Sequence, residues 1–252
     1  MRIFLTGATG FLGTALIESW RDDDVELGIL LRESSVFDSL KFKGIKIKEY
    51  RYSDINEIFS ILNEFKPNFI INSACLYGRE NEHIHDLVNS NFLIPVTMID
   101  FITLEKMECT FINTNTCLEK FLNNYSLSKH HILDWAKLLL SNKKKLNFIN
   151  LEIQQMYGPG DTTSKFPKFV IDAFAKNISE LDLTDCLHKR DFIYIDDVVN
   201  AFNIILKQPY ISGYKNYEIG SGKAVELKYF VKEAHKITKS KTSMNFGKIE
   251  KG

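Results

Sequence analysis

The sequence predicts an α/β fold: a doubly wound parallel sheet with helices on both faces, followed by a smaller mixed C-terminal lobe. Two observations carry that expectation. Short apolar runs alternate with stretches whose apolar residues recur every three or four positions, and strands separated by helices need crossover connections. The first of those strands is followed at once by three evenly spaced glycines and a helical pattern. A chain of 252 residues, 44% of them hydrophobic, has ample core for one large α/β domain or a major domain with a small companion.

Residues 2–6 (RIFLT) give the first strand, Gly7-Ala8-Thr9-Gly10-Phe11-Leu12-Gly13 the turn after it, and 14–20 the start of a helix. Residues 25–31, 45–50 and 69–73 read as the next three strands, with helical spacing over 55–65 and 88–104. A fifth strand ends at Thr114, a helix runs over 130–140, and 148–153 is the sixth strand. Past Tyr157-Gly158-Pro159-Gly160 the pieces shorten: helical spacing over 166–176, 197–206 and 227–237, strand-like runs at 180–183, 191–195 and 217–219. The boundary falls accordingly, with 1–155 as the sheet domain and 156–252 as the smaller lobe, some of whose segments are expected to return to the main sheet. Lys143-Lys144-Lys145 reads as a solvated helix end favoured by the helix dipole.

Lys plus Arg and Asp plus Glu each total 32, which speaks against a basic nucleic-acid surface or an acidic tail. Cys75, Cys109, Cys117 and Cys186 are widely spaced with no C-x-x-C pair, so they read as buried or free thiols of a reducing cytoplasm rather than a disulfide frame or zinc site. The N-terminus offers one strand and then glycines rather than a signal peptide, and no apolar run is expected to reach a membrane span. His83, His85, His130 and His131 have no carboxylate cluster beside them, so no metal site is expected.

Gly7, Gly10 and Gly13 lie between the first strand and the first helix. Glycines there permit a tight turn and let the backbone approach a pyrophosphate, whose charge meets N–H groups at the helix N-terminus. The spacing is G-x-x-G-x-x-G, not the commoner G-x-G-x-x-G. The second strand ends in Leu30-Leu31-Arg32, where an acid would accept from a ribose 2′-hydroxyl and an Arg accommodates a 2′-phosphate. Arg32 favours NADP (NADPH) over NAD, with Glu33 beside it as the opposing signal.

Tyr125 and Lys129 stand four residues apart, on one helical face about a turn apart. A fixed ammonium beside a phenol favours the phenolate and brings a group of ordinary pKa near 10 toward use at neutral pH.

With TGATGFLG at 6–13, a strand ending in Thr114 and YSLSK at 125–129, the chain resembles the extended short-chain dehydrogenase/reductases, a family of nucleotide-sugar epimerases, dehydratases and reductases. Ile70-Ile71-Asn72-Ser73-Ala74, Asn91, Tyr157-Gly158-Pro159 and Arg190-Asp191-Phe192-Ile193-Tyr194 match further family segments in order. The resemblance implies a Rossmann-type sheet with Gly7, Gly10, Phe11, Leu12 and Gly13 around the cofactor diphosphate. It implies Asp54 near the adenine, Ala74 along the cofactor, and Lys129 on the nicotinamide ribose. Tyr125 would exchange the proton, Thr114 would share the substrate oxygen, and Arg190 would grip the diphosphate of a nucleotide sugar. The helix carrying the Tyr often packs into a dimer in this family, so a homodimer is expected.

Departures from the family pattern narrow the reaction. Where 4,6-dehydratases carry Thr-Asp-Glu, this chain has Thr114-Asn115-Thr116, and an amide and an alcohol cannot serve as the acid and base of an elimination near neutral pH. Only ten residues separate Thr114 from Tyr125, so Thr116 rivals Thr114 as the site hydroxyl. Gln155 stands near the position of an Asn that contacts the substrate phosphate. The whole pattern looks like the 4-keto reductases that make CDP-linked deoxysugars such as CDP-abequose and CDP-paratose. The expectation is NADPH-dependent reduction of a CDP- or dTDP-linked 4-keto-6-deoxyhexose for a surface polysaccharide such as O-antigen. The alternatives are a nucleotide-sugar 4-epimerase or a non-catalytic NADP-binding regulator.

Overall fold

The computed structural model describes residues 1–21, 24–78, 82–142, 145–210 and 212–250. Lys143 and Lys144 of the lysine run lie outside the described residues. Two compact units emerge from the packing: Met1–Ile153 with Val199–Glu218, and Gln154–Val198 with Ile219–Gly252.

In the first unit β1 (Arg2–Thr6), α1 (Phe11–Ser19), β2 (Glu26–Arg32), β3 (Lys46–Tyr52), α2 (Glu57–Phe65), β4 (Phe69–Asn72), α3 (Ile84–Val88), α4 (Ile94–Leu104), β5 (Thr110–Thr116), α5 (Asn124–Ser141) and β6 (Asn147–Ile153) follow in order. The second unit supplies β7 (Gln155–Tyr157), α6 (Phe166–Ala175), β8 (Glu180–Leu183) and β9 (Lys189–Tyr194), after which come α7 (Ile195–Leu206) and β10 (Gly213–Ile219). The chain ends with β11 (Ala224–Glu226), α8 (Leu227–Thr238) and β12 (Ser243–Phe246).

The main sheet has seven strands in the order β10-β6-β5-β4-β1-β2-β3. It is the parallel, helix-flanked Rossmann-type sheet that the alternating pattern predicts. Phe4, Ile70, Phe111 and Phe148 face one way, against Ile99, Ile102, Ile132 and Ala136 of α4 and α5. The second unit holds the three-stranded sheet β11-β9-β7 and the parallel pair β12-β8, with Val170, Phe174, Leu181, Leu183 and Val231 in its core.

Several boundaries differ from the sequence expectation. α1 begins at Phe11, because an uncapped glycine start needs no side chain. β5 continues past Thr114 to Thr116, since its pairing with β6 runs on to Thr116↔Ile153. Residues 84–104 form one helical run of 21 residues, long and apolar enough by length and composition to cross a membrane, against the expectation that no run approaches that length. Half of its apolar window is buried inside the protein, with Leu87, Met98, Ile99 and Ile102 in the core, as a central helix requires.

Candidate active site

β1 and β4 are neighbours where the strand order reverses, the place at which ligands bind beyond the carboxyl ends of the strands in open α/β sheets. Gly7 has φ +75°, and a Cβ there would lie 2.6 Å from the Ala74 nitrogen. A Cβ on Gly13 would lie 2.1 Å from the Gly7 oxygen. Gly10 N donates to Gly7 O at 2.9 Å, and no side chain caps α1 at Gly10. Phe11 and Leu12 open the helix, Leu12 turned into the core. Only hydrogens fit between these strands of backbone, and the positive end of α1 is left to an anion. Ser73 Oγ donates to Thr6 O at 2.6 Å and Ala74 N to Thr6 Oγ1 at 3.1 Å, which fixes the β4 loop against the glycine turn.

Arg32 is the exposed last residue of β2, opposite Tyr52 in register, and its charge opposes the burial that raises the Tyr52 phenol. Asp54 lies exposed in the turn before α2, its Oδ1 accepting from Asn56 N at 2.8 Å.

Every residue of β5 is buried. Thr114 Oγ1 donates to Asn72 O at 2.9 Å, so its proton is committed to the backbone. Thr116 Oγ1 accepts from Leu118 N at 3.2 Å, and among the described residues no acceptor takes its own proton. Asn115 buries both polar atoms of its amide without a hydrogen-bond partner among the described residues.

A capping box starts α5: Ser126 N donates to Asn123 Oδ1 at 2.8 Å and Asn123 N donates to Ser126 Oγ at 3.1 Å. That start sets Tyr125 in the first turn, half-buried, with the Tyr77 ring 5.1 Å away. Lys129 follows one turn on, 2% exposed, its Nζ without a hydrogen-bond partner among the described residues. Burial pushes the Lys129 ammonium below its ordinary pKa, opposed by the nearby Cys75.

A π turn at Asn89–Leu93 joins α3 to α4 and aims Asn91 at this helix. Asn91 Oδ1 accepts from Leu76 N at 2.8 Å, while its Nδ2 donates to Leu76 O and to Ser128 Oγ, each at 2.9 Å. One buried amide thus ties the loop carrying Tyr77 to the helix carrying Tyr125 and Lys129.

In the second unit Gln155 on β7 pairs with Phe192 on β9, and Arg190 on β9 lies opposite Val225 on β11. Arg190 is exposed, its Nη1 donating to Lys189 O at 2.8 Å. The neighbouring Asp191 accepts from Ser221 N at 3.0 Å and Gly222 N at 2.9 Å, and from Ser221 Oγ. A Cβ on Gly220 would meet Asp191 Oδ2 at 2.6 Å, so a larger residue there would displace the anchored carboxylate. Sequence reading missed this anchored loop, whose signal is the Gly220-Ser221-Gly222 run thirty residues after an acid.

The family model described as "NAD dependent epimerase/dehydratase family" matches residues 3–220. The chain belongs to that family. CDP-abequose synthase of Salmonella muenchen is 31% identical over 257 residues, covering 98% of this chain and 84% of the relative. UDP-glucose 4-epimerase with UDP-glucose from Thermotoga maritima shares the fold at a TM-score of 0.80 and 16% identity, over 100% of this chain and 87% of that one. UDP-glucuronic acid 4-epimerase from Bacillus cereus, in complex with UDP-glucuronic acid and NAD, gives a TM-score of 0.80 at 18% identity, over 98% and 86%.

For a member of the epimerase/dehydratase family, the first unit fits a nicotinamide dinucleotide. The glycine cradle and uncapped α1 suit its diphosphate, and the unpartnered ammonium of Lys129 is a buried donor awaiting an acceptor such as a ribose hydroxyl.

Proposed function

We propose that this protein reduces the 4-keto group of a CDP- or dTDP-linked 4-keto-6-deoxyhexose with NADPH, in the synthesis of a surface-polysaccharide deoxysugar. The observation that carries the reading is the chemistry around Tyr125. The last three residues of β5 offer two hydroxyls and an amide, and none of them a carboxyl, while Lys129 places a buried ammonium one turn from the phenol. Tyr125 is left as the site's proton donor, and a ketone that gains a hydride needs one proton. The likeness to CDP-abequose synthase over nearly the whole chain supports the same class of substrate.

The glycine turn, the start of α1 and Lys129 would hold NADPH, which when bound would supply the hydride for the keto carbon. Tyr125 gives its proton to the keto oxygen, so the carbonyl becomes a secondary alcohol. Lys129 stabilises the phenolate that remains. Thr116, whose proton is not spent on the backbone, donates the second hydrogen bond to the same oxygen, whereas Thr114 holds the strand end to β4. Arg190 and Gln155 are assigned to the nucleotide diphosphate and Arg32 to the cofactor 2′-phosphate. Trp135 and Leu138 are exposed on α5, which supports a homodimer built on that helix.

The test is turnover of CDP- and dTDP-linked 4-keto-6-deoxyhexoses with NADPH and with NADH, the product read by NMR. Oxidation of NADPH with formation of the 4-hydroxy sugar is expected, and Tyr125→Phe should lower kcat by about 10²- to 10⁴-fold while NADPH affinity holds. Interconversion of 4-epimers on copurified NAD, with no demand for added cofactor, would assign the epimerase instead.

A further inference from the structure

Beyond Arg32, a second basic side chain stands near the end of β2. Arg51 lies on β3, opposite Leu31 in register and one place before the partner of Arg32. Its Nη1 donates to three backbone oxygens: Arg32 O at 3.3 Å, Glu33 O at 3.1 Å and Ser35 O at 2.9 Å. Its Nη2 lies 3.2 Å from Glu49 Oε2. The turn it grips is closed by Ser35 N donating to Arg32 O at 2.9 Å.

Three carbonyls from four consecutive residues therefore converge on one guanidinium. Without a cation, their negative ends would crowd one small space at the tip of β2 and the turn would relax. That tip is where Arg32, Ser34 and Ser35 stand, the only donors the turn's own side chains provide. A phosphate approaching there meets either a fixed set of donors or a mobile loop with inward carbonyls. The planar, permanently charged fork of Arg suits a multi-carbonyl grip better than a lysine ammonium does.

We infer that Arg51 sets the preference for a 2′-phosphorylated nucleotide by holding the Arg32–Ser35 turn in its phosphate-receiving form. It is a positioning residue, acting through Arg32 and the turn, and it rests on the assignment of NADPH made above. Its signature is selective. The part of the cofactor shared by NADPH and NADH meets the glycine loop, α1 and Lys129, none of which Arg51 touches. Loss of Arg51 should weaken only the nucleotide that carries the 2′-phosphate.

The experiment is titration of the full chain with NADPH and with NADH, followed by dihydronicotinamide fluorescence, for wild type, Arg51→Met and Arg51→Lys. Wild type should prefer NADPH. Arg51→Met should raise the NADPH Kd by about tenfold, the scale of one lost charge-assisted contact, and leave the NADH Kd within about twofold. Arg51→Lys, which keeps the charge, should fall between the two. An unchanged NADPH-to-NADH ratio in Arg51→Met, or equal weakening of both, overturns the inference. If Arg51→Met fails to fold, Arg51→Lys decides by the same ratio. A wild type that binds both nucleotides alike overturns the assignment of NADPH itself, whereas a wild-type preference untouched in the variants overturns only the role of Arg51.

Discussion

Lys129 sets its usefulness against stability. An ammonium that is 2% exposed and without a hydrogen-bond partner among the described residues costs the folded state on the order of 1–3 kcal/mol, more if fully charged. Its folded pKa lies below the ordinary 10.5, so between those two values the unfolded chain binds more protons and stability rises with pH. The cost is full below the folded pKa and fades as pH approaches 10.5. Lys129→Met should therefore raise Tm by roughly 2–10 °C near neutral pH, abolish turnover, and show a stability advantage that shrinks as pH rises towards 10.5. Melting curves across that range check it, and a Tm lower than wild type at pH 7 would sink the account. At this scale the sequence was informative wherever chemistry depends on residue identity. The spacing of Tyr125 and Lys129 and the glycines of the first turn could be read directly. Arg51 could not, because its partners are carbonyls that only the folded turn gathers, and nothing in the residues 32–35 marks their direction.

Between strands, a row of side chains, buried from Thr6 to Asn150, crosses the main sheet. Thr6 Oγ1 donates to Asn72 Oδ1 at 3.0 Å, Asn72 Nδ2 to Asn113 Oδ1 at 2.9 Å, Asn113 Nδ2 to Asn150 Oδ1 at 2.9 Å, and Asn150 Nδ2 to Asn216 Oδ1 at 2.7 Å. Register alignment makes this possible, since Thr6, Asn72, Asn113 and Asn150 are Cα partners in turn. All amides point the same way, so each interior member both donates and accepts. Asn113→Leu would leave the Asn72 donor and the Asn150 acceptor buried without partners, about 1–3 kcal/mol each. Thermal unfolding should fall by roughly 5–15 °C. Asn216 is exposed, and water can replace it, so Asn216→Ala should cost no more than about 1 kcal/mol. Equal losses in the two variants would disprove a directed ladder. The strands of this row were legible from periodicity, but β7, β11 and the π turn were not. Three-residue strands and a single wide helical turn have no period of their own and exist through their neighbours.

The main sheet is not a contiguous stretch of chain. Its seventh strand comes from residues beyond the second unit's first segment, and Val199–Glu218 packs with Met1–Ile153. Three contacts show what that return supplies: Tyr214 stacks on Phe148 at 5.7 Å, Asn203 Oδ1 accepts from Trp20 Nε1 at 2.9 Å, and Gly213 N donates to Leu146 O at 2.7 Å. Residues 1–153 alone would expose Phe148 and leave β6 as an unpaired edge, a condition that favours association between chains. Expressed by itself, that piece should bind a hydrophobic dye, lack a cooperative melt and fail to bind NADPH. The same piece joined through a flexible linker to residues 199–218 should recover a single melting transition and dye exclusion, because the edge is then covered from within. Circular dichroism melts and dye fluorescence distinguish the two. A cooperative transition in residues 1–153 alone would mean that the six-stranded sheet is sufficient and that the returning strand only finishes an already stable core.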